Sequence, residues 1–196
     1  MSCGGICNHD HDSGEEFIII KQIDLSKIRC LNAITSNNAY KIFKSYDKRM
    51  ENEPFIESHE GDPELLLHVT FSEAVKIKSF CVIGATEELS PTKINIFTNR
   101  NDIDFNNIET LAPTQSVELI PNGDLWYLTR YSKFQNIHEL DIHLKNSFGE
   151  EQIKLIYIGF KGQGTGMKRD VVKCNYEAIA TSKTIDSFNK STINIS

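Results

Sequence analysis

The stretch "ELLLHVTF", Glu64 to Phe71, decides the fold. Side chains of an extended chain alternate with a period of two, so Leu65, Leu67, Val69 and Phe71 share one face. The same period recurs along the chain. "AVKIKSFCVIG" sets Val75 and Ile77 against Lys76 and Lys78, and "PTKINIF" sets Ile94 and Ile96 against Lys93 and Asn95. "NIHELDIHLKN" sends Leu140, Ile142 and Leu144 one way and Glu139, Asp141 and His143 the other. "KLIYIGFKG" is apolar on both faces, as a strand in the middle of a sheet would be, and "DVVKCNYEA" closes the set.

Turn residues punctuate these runs. "GDP" precedes Leu65, "SP" precedes the 93–97 run, and "NSFGEE" joins the two most regular strands. "PNGD" at 121–124 predicts a hairpin between "SVELI" and "LWYLT", because Asn and Gly tolerate positive φ. Helix signals are short: "DLSKIRCLNAI" near 24–34 and "NDIDFNNIETL" near 101–111. Strands at this spacing predict an all-β sandwich of antiparallel sheets, one face on a core and the other wet.

The chain has 196 residues, which fits one domain with a real core. Residues 1–15 are rich in Cys, His, Gly and Asp and read as a flexible tail. Residues 16–180 read as the domain, and 181–196 as a polar C-terminal tail. A net charge of −6 opposes wholesale binding of a phosphate backbone, so no nucleic-acid partner is expected. No apolar run is long enough for a membrane helix, and the N-terminus lacks the basic and apolar regions of a secretory signal, so no membrane partner is expected. Cys3, Cys7, Cys30, Cys81 and Cys174 are odd in number and widely spaced, which argues against a disulfide framework and for a reducing compartment, cytosol or nucleus.

Three patterns are candidates for chemistry. The glycines Gly159, Gly162, Gly164 and Gly166 follow an apolar run and precede Lys168 and Arg169. A Walker loop needs Lys-Ser/Thr after its last glycine, and a dinucleotide site needs a helix behind the loop; neither is present, so the run reads as a pliable turn between strands. Cys3, Cys7, His9 and His11 offer soft donors for Zn²⁺ or Cu⁺, although the spacing is not that of a zinc finger. Glu139, Asp141 and His143 form a row that would do acid–base work only if enclosed, and on an open sheet face they are solvated polar groups. Cys30, Cys81 and Cys174 lie in apolar runs and are expected to be buried.

"PFIESHEGDPELLLHVTF" at 54–71, "VKIKSFCVIG" at 75–84, "SKFQNIHELDIHLKNSFG" at 132–149, "IYIGFKG" at 156–162 and "VVKCNYEA" at 171–178, in this order, resemble the PITH domain. This is the proteasome-interacting module also found at the C-terminus of thioredoxin-like proteins. The resemblance implies a jelly-roll β-sandwich, galactose-binding-domain-like. It implies a non-enzymatic protein in cytoplasm and nucleus that associates with the proteasome or proteasome-linked partners, and a monomer is expected. There is no C-x-x-C, so thioredoxin-type redox activity does not carry over, and no catalytic residue or cofactor is implied. Lys161, Lys168 and Arg169, with the Glu139, Asp141 and His143 row, are the expected protein-binding surface. Two rivals remain: a sugar-binding jelly roll using Trp126 and Tyr127, and a metal role for the tail.

Overall fold

The alternation at Glu64 continues into a strand much longer than expected. A computed structural model describes residues 18–167 apart from Asn122. Its strands are β1 (Arg29–Leu31), β2 (Ile56–Glu57), β3 (Glu64–Gly84), β4 (Pro91–Thr98), β5 (Gln115–Glu118), β6 (Tyr127–Leu128), β7 (Ile137–Ser147) and β8 (Lys154–Gly164). The two runs read as separate strands at 64–71 and 74–84 are one element, β3, of 21 residues.

β3 changes partners halfway. Residues 64–70 pair antiparallel with β7, residues 75–84 with β8, and the register shifts between Thr70 and Val75. The corner is held from both sides: Asp24 N–H donates to Thr70 O at 2.8 Å, and Ala74 N–H donates to Met167 O at 2.8 Å. One hydrogen-bonded path, β2-β8-β3-β7-β4-β5, thereby folds into two layers. The first holds β1, the start of β3, β7, β4 and β5; the second holds β6, the end of β3, β8 and β2.

The period-two faces meet between the layers. Leu65, Leu67, Val69, Phe71, Val75, Ile77, Ile94, Ile96, Leu140, Ile142 and Leu144 all join one core, as the alternation predicts. β8 lies between β2 and β3 and is buried on both faces. Ile83 pairs with Tyr157 and Gly84 with Leu155, so Ile156 is an extra residue that flips the alternation. Leu155, Ile158 and Phe160 therefore face the main core, while Ile156 and Tyr157 join a smaller cluster with Cys81 and Ile83 on the outer face. Cys30 and Cys81 are buried free thiols, as expected.

Four expectations change. Residues 24–34 form a short 3-10 turn at Leu25–Lys27 and then strand β1, because Arg29–Leu31 finds the open edge of β3. Residues 101–111 form turns, not a helix: Asp104 Oδ1 accepts from Asn106 N–H at 2.9 Å and Asn107 N–H at 3.1 Å, competing with helical pairing. β5 and β6 do not make a hairpin, since β5 pairs with β4 and β6 with β3. The glycine run begins inside β8, which continues to Gly164. Gly162 is there because a Cβ would collide with the Lys76 backbone carbonyl, and only Gly166, with φ +72°, serves a turn. The expected last strand at 170–178, with Cys174, lies outside the described residues, as do both tails.

Candidate functional site

The row Glu139, Asp141 and His143 points away from the main core as expected, but it is not an exposed row. Asp141 is 3% exposed and His143 1%. The cause is the 101–111 segment, which lies over this face of the first layer and packs Ile103 and Ile108 against Leu66 and Phe97. Phe105 sets its ring edge-on to His143 with centroids 6.2 Å apart. Each buried polar group takes a neighbour on β3: His68 Nδ1 shares a hydrogen bond with Asp141, and His143 Nε2 shares one with Glu64. Burial pushes the Asp141 carboxyl up from its usual range, and His68 only partly offsets this. Burial pushes the His143 imidazole down, against the pull of Glu64. Asp141 and His143 therefore offer a partner no open surface, while Glu139 is half-buried.

Glu64, Glu109 and His143 each bring one possible ligand atom within 4.8 Å of the others. The Lys145 ammonium donates to Glu109 and lies 4.0 Å from Glu64, so a cation of the chain already sits among these carboxylates. Beside them is a groove of about 510 Å³ lined by Leu31, Asn32, Asp62 and Phe105 among others. A second groove of about 630 Å³ runs between β1 and Tyr40 and shares Leu31.

Lys161 lies in a different cluster, on the outer face of the second layer. Its ammonium sits 4.4 Å from the centroid of the Trp126 ring. Tyr46 tilts against Trp126 at 6.0 Å, and the Arg49 guanidinium covers Tyr46 at 3.9 Å. Arg49 Nη2–H donates to Asp124 at 2.6 Å and Nε–H at 3.0 Å. Cation–π contacts and a forked ion pair thus clasp residues 46–49 to 124–126 over Cys81. Lys161 is accordingly half-buried and engaged, not a free cation. Burial pushes the Cys81 thiol up to about 12, which keeps it protonated and inert. Gly159 is required here because the Tyr157 ring lies over it.

Trp126 and Tyr127 are both engaged within the chain. Tyr127 stacks on Phe80 at 5.5 Å, its hydroxyl accepts from Ile120 N–H at 2.8 Å, and Trp126 carries Lys161 above its ring. Lys168, Arg169, Cys3, Cys7, His9 and His11 lie outside the described residues.

What sequence reasoning missed is the β6 edge. Leu128 is 78% exposed, Ile120 59% and Tyr131 56%. Ser79 on β3 pairs with Leu128 on one side and Lys161 on the other, so Lys161, Ser79 and Leu128 form one row. The outer backbone of β6 is closed by one buried side chain from the other layer. Gln115 Nε2–H donates to Leu128 O at 2.9 Å, and Arg130 N–H donates to Gln115 Oε1 at 2.8 Å. An apolar residue inside "LWYLT" carried no signal separating outward Leu128 from inward Tyr127, because the strand was too short to show a period.

Among the described residues no helix is long and apolar enough to cross a membrane. The PITH domain family model matches residues 9–180. PITH domain-containing protein 1 of Xenopus laevis is 33% identical over 91% of this chain and 86% of its own length. The protein of that name from Dictyostelium discoideum is 34% identical over 87% and 85%, and that of Homo sapiens 33% over 81% and 76%. Among solved structures, the family 32 CBM of NanJ from C. perfringens in complex with galactose is similar with a TM-score of 0.53. That match has 11% identity and covers 74% of this chain and 97% of the other. CBM32-3 from a family 31 glycoside hydrolase of Clostridium perfringens also gives a TM-score of 0.53 at 11% identity, over 76% and 97%. At such identity the likeness shows the fold alone: a jelly-roll β-sandwich of the galactose-binding-like kind.

Proposed function

The chain belongs to the PITH domain family, and on that footing we propose that it is a non-catalytic protein-interaction module that associates with the proteasome or with proteasome-linked partners. The observation that carries this reading is where the structure spends its polar chemistry. The acids and imidazoles best placed for proton transfer are paired across β3 and β7, with Asp141 and His143 buried. What the chain presents around β6 is large exposed apolar side chains, Leu128 on the strand and Ile120 and Tyr131 on either side of it in sequence. Such a surface suits protein docking, where about 800 Å² per partner is typical and central apolar anchors supply most of the affinity. Association by a monomer in cytoplasm and nucleus fits the reduced, unpaired Cys30 and Cys81.

The direct test is co-sedimentation of the purified full-length chain with purified proteasomes on a glycerol gradient. Co-migration at micromolar concentration is the expected result. A chain that stays at the top of the gradient across that range, and also with cell extract added back, would defeat the proposal.

A further inference from the structure

We propose that the face around Leu128 docks an acidic segment of a partner protein that also carries apolar side chains. This rests on the interaction-module reading and names the surface and the chemistry of what it binds.

The apolar part is unusually open. Ile120, Leu125, Leu128 and Tyr131 are large, exposed and confined to twelve residues of one continuous stretch. The backbone around Leu128 is tied down: Thr129 N–H donates to Lys78 O at 3.0 Å, Ile77 N–H donates to Phe134 O at 3.0 Å, and Gln115 pins Leu128 and Arg130. Ile120 is tied in turn by its N–H to the Tyr127 hydroxyl at 2.8 Å. A pre-ordered apolar surface gives up little conformational entropy when it is covered.

The charge around it opposes that of the whole chain. Net charge is −6, yet Arg130 and Lys133 flank Tyr131, and Arg130 is exposed beside Leu128. Between Ile120 and Lys133 the sequence has a single acid, Asp124, and Arg49 already occupies it. An apolar centre with a basic rim selects a partner with acidic residues around apolar anchors, and the rim charges raise its association rate. A second copy of this chain is disfavoured, because a two-fold contact of this patch with itself would bring the basic rim of Arg130 and Lys133 up to the same rim of the partner.

The test places the photo-cross-linker p-benzoylphenylalanine at position 128 of the full-length chain, irradiates it in extract of the native cell, and sequences the cross-linked peptides by mass spectrometry. The expected result is a reproducible segment with more Asp and Glu than Lys and Arg, interspersed with apolar residues. Its yield should fall about tenfold in the R130E/K133E double variant, as for loss of a rim that steers binding. The L128S variant, with proteins bound to it recovered by affinity capture, should lose the same partner by about tenfold, as for an anchor residue. Circular dichroism melting reports whether each variant is folded. Cross-links to a second copy, to a basic segment, or no reproducible cross-link would overturn the proposal. Sedimentation of the chain with phosphatidylserine vesicles, in the absence of any acidic protein cross-link, would overturn it in favour of a membrane surface. An acidic segment from a protein unrelated to the proteasome supports this surface while defeating the proteasome assignment. Proteasome recovery unchanged in L128S and R130E/K133E does the reverse.

Discussion

Truncating Gln115 to alanine tests whether one buried amide joins the two layers. The side chain is buried, and it both donates to Leu128 O at 2.9 Å and accepts from Arg130 N–H at 2.8 Å. A strand lying beside β6 would satisfy the same kind of backbone groups, so the amide replaces a missing β-ladder. Leu128 and Arg130 are themselves exposed, so water can reach the two groups once the amide is gone. The net value of a hydrogen bond, about 1 kcal/mol each, therefore applies and not the full cost of burying an orphan. Loss of one buried methylene adds about 0.8 kcal/mol. The sum is about 3 kcal/mol, which lowers the melting temperature by roughly 6–12 °C in a chain of this size. Urea unfolding measures the first quantity, and amide exchange at Arg130 reports the local effect, which should be a loss of protection. Gln115→Glu is the informative companion. It keeps an acceptor for Arg130 but sets a carboxylate against the Leu128 carbonyl, so part of the loss should return below about pH 4, where a protonated Glu donates again. A loss below about 0.5 kcal/mol with unchanged Arg130 exchange would refute the bridging role, since that lies within ordinary surface variation.

Other positions give separate tests. Gly162→Ala drives a Cβ into the Lys76 carbonyl, backbone against backbone, and should cost more than about 3 kcal/mol, read as loss of soluble protein or a collapsed thermal transition. Trp126 is the only tryptophan, so its fluorescence reports the outer clasp: Arg49→Ala should shift its emission to the red by freeing the ring to water, and an unchanged spectrum would contradict the clasp. Burial lowers the His143 pKa, so the unfolded chain takes up a proton near pH 6.5 before the folded chain does. Stability from this group is thus full above about pH 6.5 and declines as pH falls, by at most about 1.4 kcal/mol per pH unit, and His143→Gln should remove that slope in urea titrations. Asp141 acts with the opposite sign, because its raised pKa lets the folded chain bind a proton first; Asp141→Asn should make the decline steeper.

The layers were legible wherever a strand was long enough to show its period. Leu65, Leu67 and Val69 on β3, and Leu140, Ile142 and Leu144 on β7, land in the core they predict. The bend in β3 was not legible, because Ser72-Glu73-Ala74 contains neither Pro nor Gly and the corner is fixed by Asp24 and Met167 from elsewhere in the chain. The polar row failed for a related reason. Period two told which way Asp141 and His143 point, but not that residues 101–111 would lie over them, which depends on Ile103 and Ile108 meeting Leu66. For the site, Lys161 was correctly placed at the end of a core strand, but its Trp126 partner is 35 positions away in sequence and no local pattern links them. Leu128 was hidden in an apolar run of the kind that usually marks a core.

The central proposal is that this PITH domain acts as a non-catalytic module that binds proteasome-linked protein. It is tested most directly by affinity purification of the full-length chain from its native cell at moderate salt, with eluates quantified by mass spectrometry against a tag-only control. The account predicts proteasome subunits reproducibly enriched in the eluate. Their absence from every eluate, while the chain itself is recovered folded, would contradict it.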